Sequence, residues 1–217
     1  MIIKKFLHSC ILIESNDKRL LIDPGEFSFV EGKLKPEDIP KPDVLLLTHE
    51  HADHYFPEAI RKIVKPNTKV VTHERIAELL SKEHIPSVTL SAGYSLTLET
   101  FTIEALDLPH GALPIPEPKN SGYLINKAIL HPGDSLAIPE TRGLEILFLP
   151  IAAPWLTLRE TIEAGLRLKP KTIIPIHDAF MKDFMLERLY AMAEKKFSAA
   201  GIAFKQLALG EELLLTG

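Results

Sequence analysis

Four apolar residues in a row, Val44-Leu45-Leu46-Leu47, run directly into Thr48-His49-Glu50-His51-Ala52-Asp53-His54. The unbroken apolar run reads as a strand buried on both faces, the pattern of a parallel strand covered by helices. Where such a strand ends, the backbone must leave the sheet. Open α/β sheets gather their ligand-binding side chains at those carboxyl ends. Three imidazoles and a carboxylate crowded into so short a segment are costly to hold together without a cation. Neutral imidazole and ionised carboxylate suit zinc, manganese, iron or nickel. His49 and His51, two apart in extended chain, can reach one metal. Asp53 and His54, beyond the turn, can reach a second. The competing reading is a polar helix cap with solvated histidines.

One cluster cannot complete two sites, and three later segments share its design of a strand ending in a ligand-type residue. Leu106-Asp107-Leu108-Pro109-His110 delivers His110, Ile129-Leu130-His131-Pro132-Gly133-Asp134 delivers Asp134, and Ile173-Ile174-Pro175-Ile176-His177 delivers His177. Strands are expected at 2–6, 10–13, 20–22, 44–47, 69–72, 87–90, 95–98, 101–106, 122–125, 128–130, 144–149 and 172–176. Helices are expected after Pro57 and at 74–83, 157–168 and 183–200, with Thr157 and Glu160 in a capping-box pattern. The segment at 31–42, with three prolines, reads as a surface loop. The strands fall into two groups, 1–85 and 87–217, each followed by helices. Leu21-Ile22-Asp23-Pro24-Gly25 and Ile129-Leu130-His131-Pro132-Gly133-Asp134 echo one another, a short match that leaves internal duplication and chance both open.

Composition narrows the classes. At 217 residues the chain suits a single domain, 1–217, with a core large enough to need no staple. One cysteine, Cys10, excludes an internal disulfide and any cysteine-rich zinc module, and it reads as a small apolar strand residue. A net charge of −4 argues against broad nucleic-acid binding. The longest apolar stretch, 146–156, carries two prolines and is too short to span a bilayer. A cytoplasmic protein is the expectation.

The five motifs, Asp23 after a strand, His-x-His-x-Asp-His at 49–54, then His110, Asp134 and His177, occur in the order of the metallo-β-lactamase superfamily, which the chain resembles over essentially its whole length. His8-Ser9-Cys10, the His-x-Gly-Asp at 131–134 and the Pro-Ile-His at 175–177 are most similar to one branch. It holds the metal-dependent hydrolases related to L-ascorbate-6-phosphate lactonase. That branch usually has Gly where Leu7 stands. The resemblance implies an α/β fold, a four-layer αββα sandwich with a di-metal site at one edge between the two sheets. It implies that His49, His51 and His110 hold the first metal, that Asp53, His54 and His177 hold the second, and that Asp134 bridges them. Asp23 would support the site from behind.

Two divalent ions, zinc foremost and manganese, iron or nickel as alternatives, would share a hydroxide that serves as nucleophile, oriented by Asp53. The expected activity is hydrolysis of an ester, lactone or phosphoester bond. The net positive charge of such a centre suggests a small, anionic substrate. The alternatives are a nuclease or other phosphodiesterase, disfavoured by the absence of a basic insertion, and a metal-binding protein without turnover. His131 could orient Asp134, and His8 could line the site. Tyr55 and Trp155 are candidates to wall the pocket, with packing as the alternative for each. His73 and His84 read as surface residues and Glu50 as exposed. A homo-oligomer is compatible with exposed apolar loop residues such as Phe56 and Trp155.

Overall fold

Every second residue of a strand faces the same way, so an apolar run must find two apolar surroundings, and here it does. Leu20, Ile22, Val44 and Leu46 point into a central core, while Leu21, Leu45 and Leu47 point into a second one. Phe148 and Ile174 join the central core, whereas Leu147, Leu149 and Ile173 enter a third. Three apolar layers separate four layers of structure. Each fully buried Leu or Ile here stabilises the fold by about 1.5–3 kcal/mol.

The computed structural model describes residues 1–215. With strands numbered in chain order, the first sheet runs β14 (Glu212–Leu214), β1 (Ile2–Lys5), β2 (Ile11–Ser15), β3 (Lys18–Ile22), β4 (Val44–Leu46), β5 (Lys69–Thr72), β6 (Ser87–Thr89). The second runs β7 (Ser95–Leu98), β8 (Phe101–Asp107), β9 (Ser121–Ile125), β10 (Ile129–His131), β11 (Ile146–Pro150), β12 (Thr172–Ile176), β13 (Ala203–Phe204). Helices α1 (Pro57–Ile63) and α2 (Glu74–Lys82) supply residues to the apolar layer outside the first sheet. Helices α3 (Leu158–Leu168) and α4 (Asp183–Ala199) do the same for the second. This is the expected αββα sandwich. Thr157 caps α3 as expected, its hydroxyl accepting from the Glu160 amide at 3.3 Å while the Glu160 carboxylate accepts from the Thr157 amide at 2.7 Å.

The division of the chain differs from the expected one in two places. The strand at 87–89 joins the first sheet, pairing parallel to β5, because its register continues Val70↔Ser87 to Thr72↔Thr89. The strand at 212–214 returns to the first sheet and pairs antiparallel with β1. Periodicity over three residues is too short to announce either partner. The loop at 31–42 also holds a 3-10 turn at Pro36–Asp38.

Both sheets repeat one plan. Read from β14 and from β7, each has three antiparallel pairings followed by three parallel ones. The sequence echo falls at equivalent places, the ends of β3 and β10. The parallel strands all finish at one edge, and that edge carries the site.

Candidate metal centre

His49 follows β4, Asp23 follows β3, Asp134 follows β10 and His177 follows β12. His110 comes three residues after β8, and His8 lies in the turn joining β1 to β2. Three of these, His8, Asp23 and His177, have positive φ of 59°, 46° and 63°. His and Asp tolerate that region better than most residues. In each case the unusual turn throws the side chain back over the end of its strand.

The side chains form two groups. His49, His51, His110 and Asp134 offer four donor atoms within 4.8 Å of one another, and so do His8, Asp53, His54 and His177. Asp134 links them. Its Oδ2 lies 3.5 Å from His110 Nε2 and 3.9 Å from His49 Nε2, and also 2.9 Å from His177 Nε2. Its Oδ1 lies 3.0 Å from His54 Nε2. The ring nitrogens that face the centre, Nε2 of His49, His54 and His110, are buried without a hydrogen-bond partner, as is Asp134 Oδ1. Buried polar atoms are nearly always paired. Four orphans spread over the two linked groups fit bound cations.

The other ring nitrogen is held in His49, His54, His110 and His177. His54 Nδ1 lies 2.8 Å from Asp23 Oδ2, His110 Nδ1 2.6 Å from the Gly111 carbonyl, and His177 Nδ1 2.6 Å from the Ala152 carbonyl. His49 Nδ1 lies 3.0 Å from the Thr48 hydroxyl, which itself donates to Asp23 Oδ2 at 2.6 Å. An acceptor at Nδ1 fixes the proton there and leaves the Nε2 lone pair free, the arrangement by which proteins orient metal-binding imidazoles. Asp23 also accepts the Thr48 amide at 2.8 Å. One buried carboxylate thus steadies His49 and His54 together.

His8 differs. Its Nδ1 accepts the Ala179 amide at 3.3 Å, so the proton sits on Nε2, which donates to Asp53 Oδ2 at 3.1 Å. His8 therefore steers Asp53, although its distances would also allow it to bind an ion. His131 contacts neither carboxylate directly. Its Nδ1 accepts the Gly133 amide at 3.2 Å and its Nε2 faces the Ser9 carbonyl at 3.3 Å, so it shapes the turn that carries Asp134.

Charge follows the same geometry. Burial raises the cost of ionising Asp134 and Asp53, yet the surrounding imidazoles hold both well below the usual carboxylate range. Burial lowers His177, but Asp134 and Asp53 outweigh it and raise the ring to about 9. His54 is raised in the same way, against burial, by Asp134 and Asp23. Burial and the nearby imidazoles push His49 and His51 down.

Trp155 closes one side, its ring centroid 5.6 Å from that of His110 and 5.9 Å from that of His177. Gly111 makes room for it, since a Cβ there would fall 2.0 Å from the indole. Tyr55 does not reach the centre. It is buried in the apolar layer with Phe6, Leu34 and Ile60, because the chain has already turned toward α1. His73 is 1% exposed, not a surface residue, and both ring nitrogens lack partners. It ends β5 as His177 ends β12. Glu50 is half-buried rather than exposed, with one carboxylate oxygen unpaired. His84 is exposed and Cys10 buried, both as expected.

Further residues hold the site that the sequence did not single out as part of it. Asn120 donates to the Leu108 and Pro132 carbonyls, both at 2.9 Å, and accepts the Asp134 amide at 3.2 Å. It ties the segment carrying His110 to the turn carrying Asp134. Gly25 lies under the histidine loop, where a Cβ would fall 1.9 Å from the Asp53 carbonyl oxygen. Lys5 and Tyr190 both bond Asp178, a buried carboxylate next to His177.

Comparison with known proteins agrees with this architecture. Residues 2–177 match the model of the beta-lactamase superfamily domain. Protein Rv0786c of Mycobacterium tuberculosis is 30% identical over 186 residues, spanning 81% of this chain and 83% of its own. A UPF0173 metal-dependent hydrolase of Nanoarchaeum equitans is 30% identical over 191 residues, spanning 82% and 83%. The structure of Igni18, a metallo hydrolase of Ignicoccus hospitalis, superposes with a TM-score of 0.72 at 19% identity, covering 98% of this chain and 97% of that one.

Proposed function

The chain belongs to the β-lactamase superfamily, and from that membership we propose that it is a di-metal hydrolase cleaving an ester, lactone or phosphoester bond of a small molecule. In this reading His49, His51 and His110 hold one divalent ion and Asp53, His54 and His177 the other, with Asp134 between them. The observation that supports it most is the set of buried, unpartnered Nε2 atoms whose Nδ1 partners are already fixed. Zinc is the first choice for such a donor set, and manganese, iron and nickel share its preferences.

When bound, such ions would lower the pKa of a coordinated water to about 7 and polarise the attacked oxygen. The protein's part is positioning. Asp53, braced by the His8 Nε2–H, is placed to orient the attacking water. Asp134 keeps the two ligand groups in one register. Asp23 and Thr48 hold the rings of His49 and His54 so that no reorganisation is needed when negative charge develops. Trp155 screens the His110 side from bulk water.

Protein purified without chelator should carry close to two divalent ions per chain by elemental analysis. Asp134→Ala should retain at most one ion and lose hydrolysis of a panel of lactones, esters and phosphodiesters. Full activity in that variant would sink the proposal. Two ions without turnover of any panel member would instead favour a metal-binding protein.

A further inference from the structure

A cavity of about 480 Å³ opens beside His110 and runs along α3. Its wall next to the metal centre is His110 and Trp155, and beyond them come Leu136, Ala137 and Ala164. The charged side chains on it are Glu160, Glu163 and Arg167. Arg167 is exposed, and its guanidinium donates to the Ile138 carbonyl at 2.6 Å and the Leu136 carbonyl at 3.3 Å. Glu160 is engaged at the α3 cap with Thr157. Glu163, one turn before Arg167, is exposed at the cavity rim. Two carboxylates against one guanidinium leave this wall negative, opposite in sign to the loaded metal centre.

We infer that this cavity takes the non-reacting part of the substrate, and that this part is an uncharged aliphatic or aryl group, with Glu163 rejecting anionic tails. The inference rests on the hydrolytic reading of the metal centre and narrows its substrate class. Negative charge belongs at the bond being cleaved, over the two ions. The tail that extends past His110 meets an indole, a leucine and alanines, which favour apolar contact. A carboxylate or phosphate on that tail would sit against Glu163, and Arg167, the one Lys or Arg among the described lining residues, already spends two of its donors on the Ile138 and Leu136 carbonyls. A polyanionic strand entering along this wall meets the same repulsion, which favours a small ester or lactone over nucleic acid.

Trp155 is the sole tryptophan of the chain, so tryptophan emission reports on the junction between this wall and the metal centre, and the comparison of the two ligands isolates the tail. The test titrates metal-loaded, full-length protein with hexanoate and with adipate. Both offer one carboxylate head to the metals, and they differ only in a methyl or a carboxylate at the far end. Hexanoate should shift Trp155 emission saturably and bind about tenfold more tightly than adipate, since losing one buried methyl and gaining repulsion together reach that ratio. Glu163→Lys should narrow the gap to about threefold or less. Equal or tighter binding of adipate to the unaltered chain overturns the inference. So does hexanoate binding seen by calorimetry with no change in Trp155 emission. Ester turnover, assayed separately, judges the metal centre: turnover with a silent Trp155 defeats the cavity assignment alone, and no turnover of any ester defeats the hydrolase reading.

Discussion

Asp23→Asn changes one atom behind the metal centre and leaves every proposed ligand in place. The carboxylate accepts three hydrogen bonds, from the Thr48 amide at 2.8 Å, the Thr48 hydroxyl at 2.6 Å and His54 Nδ1 at 2.8 Å. An amide has one acceptor oxygen. If that oxygen stays with Thr48 Oγ1 and His54, the new NH2 faces the Thr48 N–H, donor against donor. If it turns to the Thr48 amide, His54 loses the acceptor that fixes its proton. Either way one buried donor is stranded, at about 1–3 kcal/mol, and the surviving bonds lose their charge assistance, at about 1 kcal/mol more. A total of about 2–4 kcal/mol should lower the melting temperature of the chelated protein by about 5–15 °C in calorimetry, given the transition entropy of a chain this size. Freed to rotate or change tautomer, His54 should hold its metal about 10–100-fold less tightly, measured by competition with a fluorescent chelator. The His54 group should weaken more than the His49 group, because His54 touches Asp23 directly whereas His49 does so through Thr48. If Asp23→Asn bound both ions with unaltered affinity, the claim that Asp23 orients these rings would be wrong.

Other changes probe the same frame. Asn120→Ala removes three hydrogen bonds that join the His110 segment to the Asp134 turn; a loss of about 3 kcal/mol in denaturant unfolding should come with reduced metal occupancy, and a variant losing neither would deny the link. Gly25→Ala has no conformational cost, since φ is −77° and ψ 175°, yet its Cβ would overlap backbone at Asp53 and His54; elemental analysis should find depleted metal with the sheets intact by circular dichroism. In chelated protein, His177 is raised to about 9, so its contribution is full below the ordinary histidine pKa and is lost as pH climbs through about 9. The depressed Asp53 and Asp134 act oppositely, contributing above the ordinary carboxylate range and losing that contribution on acidification below it. Melting temperature against pH should therefore fall on both sides of a neutral plateau, and a chelated protein most stable above pH 10 would contradict this assignment.

The site was legible where its chemistry is local. His49 to His54 sit in one run, and a buried strand in front of them announces the sheet edge. His110, Asp134 and His177 each end a strand of their own, so the same rule finds them. Asn120 could not be found that way. Its value lies in touching residues 108, 132 and 134, which come together only through the fold. Gly25 is read from sequence as a turn former, but its packing against Asp53 exists only across two loops. Tyr55 follows the motif directly yet points into the layer beneath α1, because proximity in sequence ends at a turn. His73 looked solvated because polar residues at a helix start normally are, yet it is buried, and Arg75 of α2 reaches Glu50 at 3.7 Å and helps to cover it. The strand at 87–90 is expected from the sequence but its sheet is not, and β14 is not expected at all, because three residues carry too little periodicity to choose a partner.

The pairing of β14 with β1 bears on how the molecule is made. Ile2, Ile3 and Lys4 are flanked by Ile11–Glu14 on one side and by Glu212–Leu214 on the other. The first neighbour leaves the ribosome almost at once. The second arrives some two hundred residues later. Until then β1 is an open edge of a half-built sheet, free to pair with another chain, and this long loop closure comes late. The turn carrying His8 hangs from that same β1. Its grip on Asp53 therefore matures late in biogenesis, after the histidine loop itself has been made. A nascent chain stalled short of residue 212 would hold most of the metal-binding side chains and a frayed strand beside them, the form most exposed to chaperones and proteases.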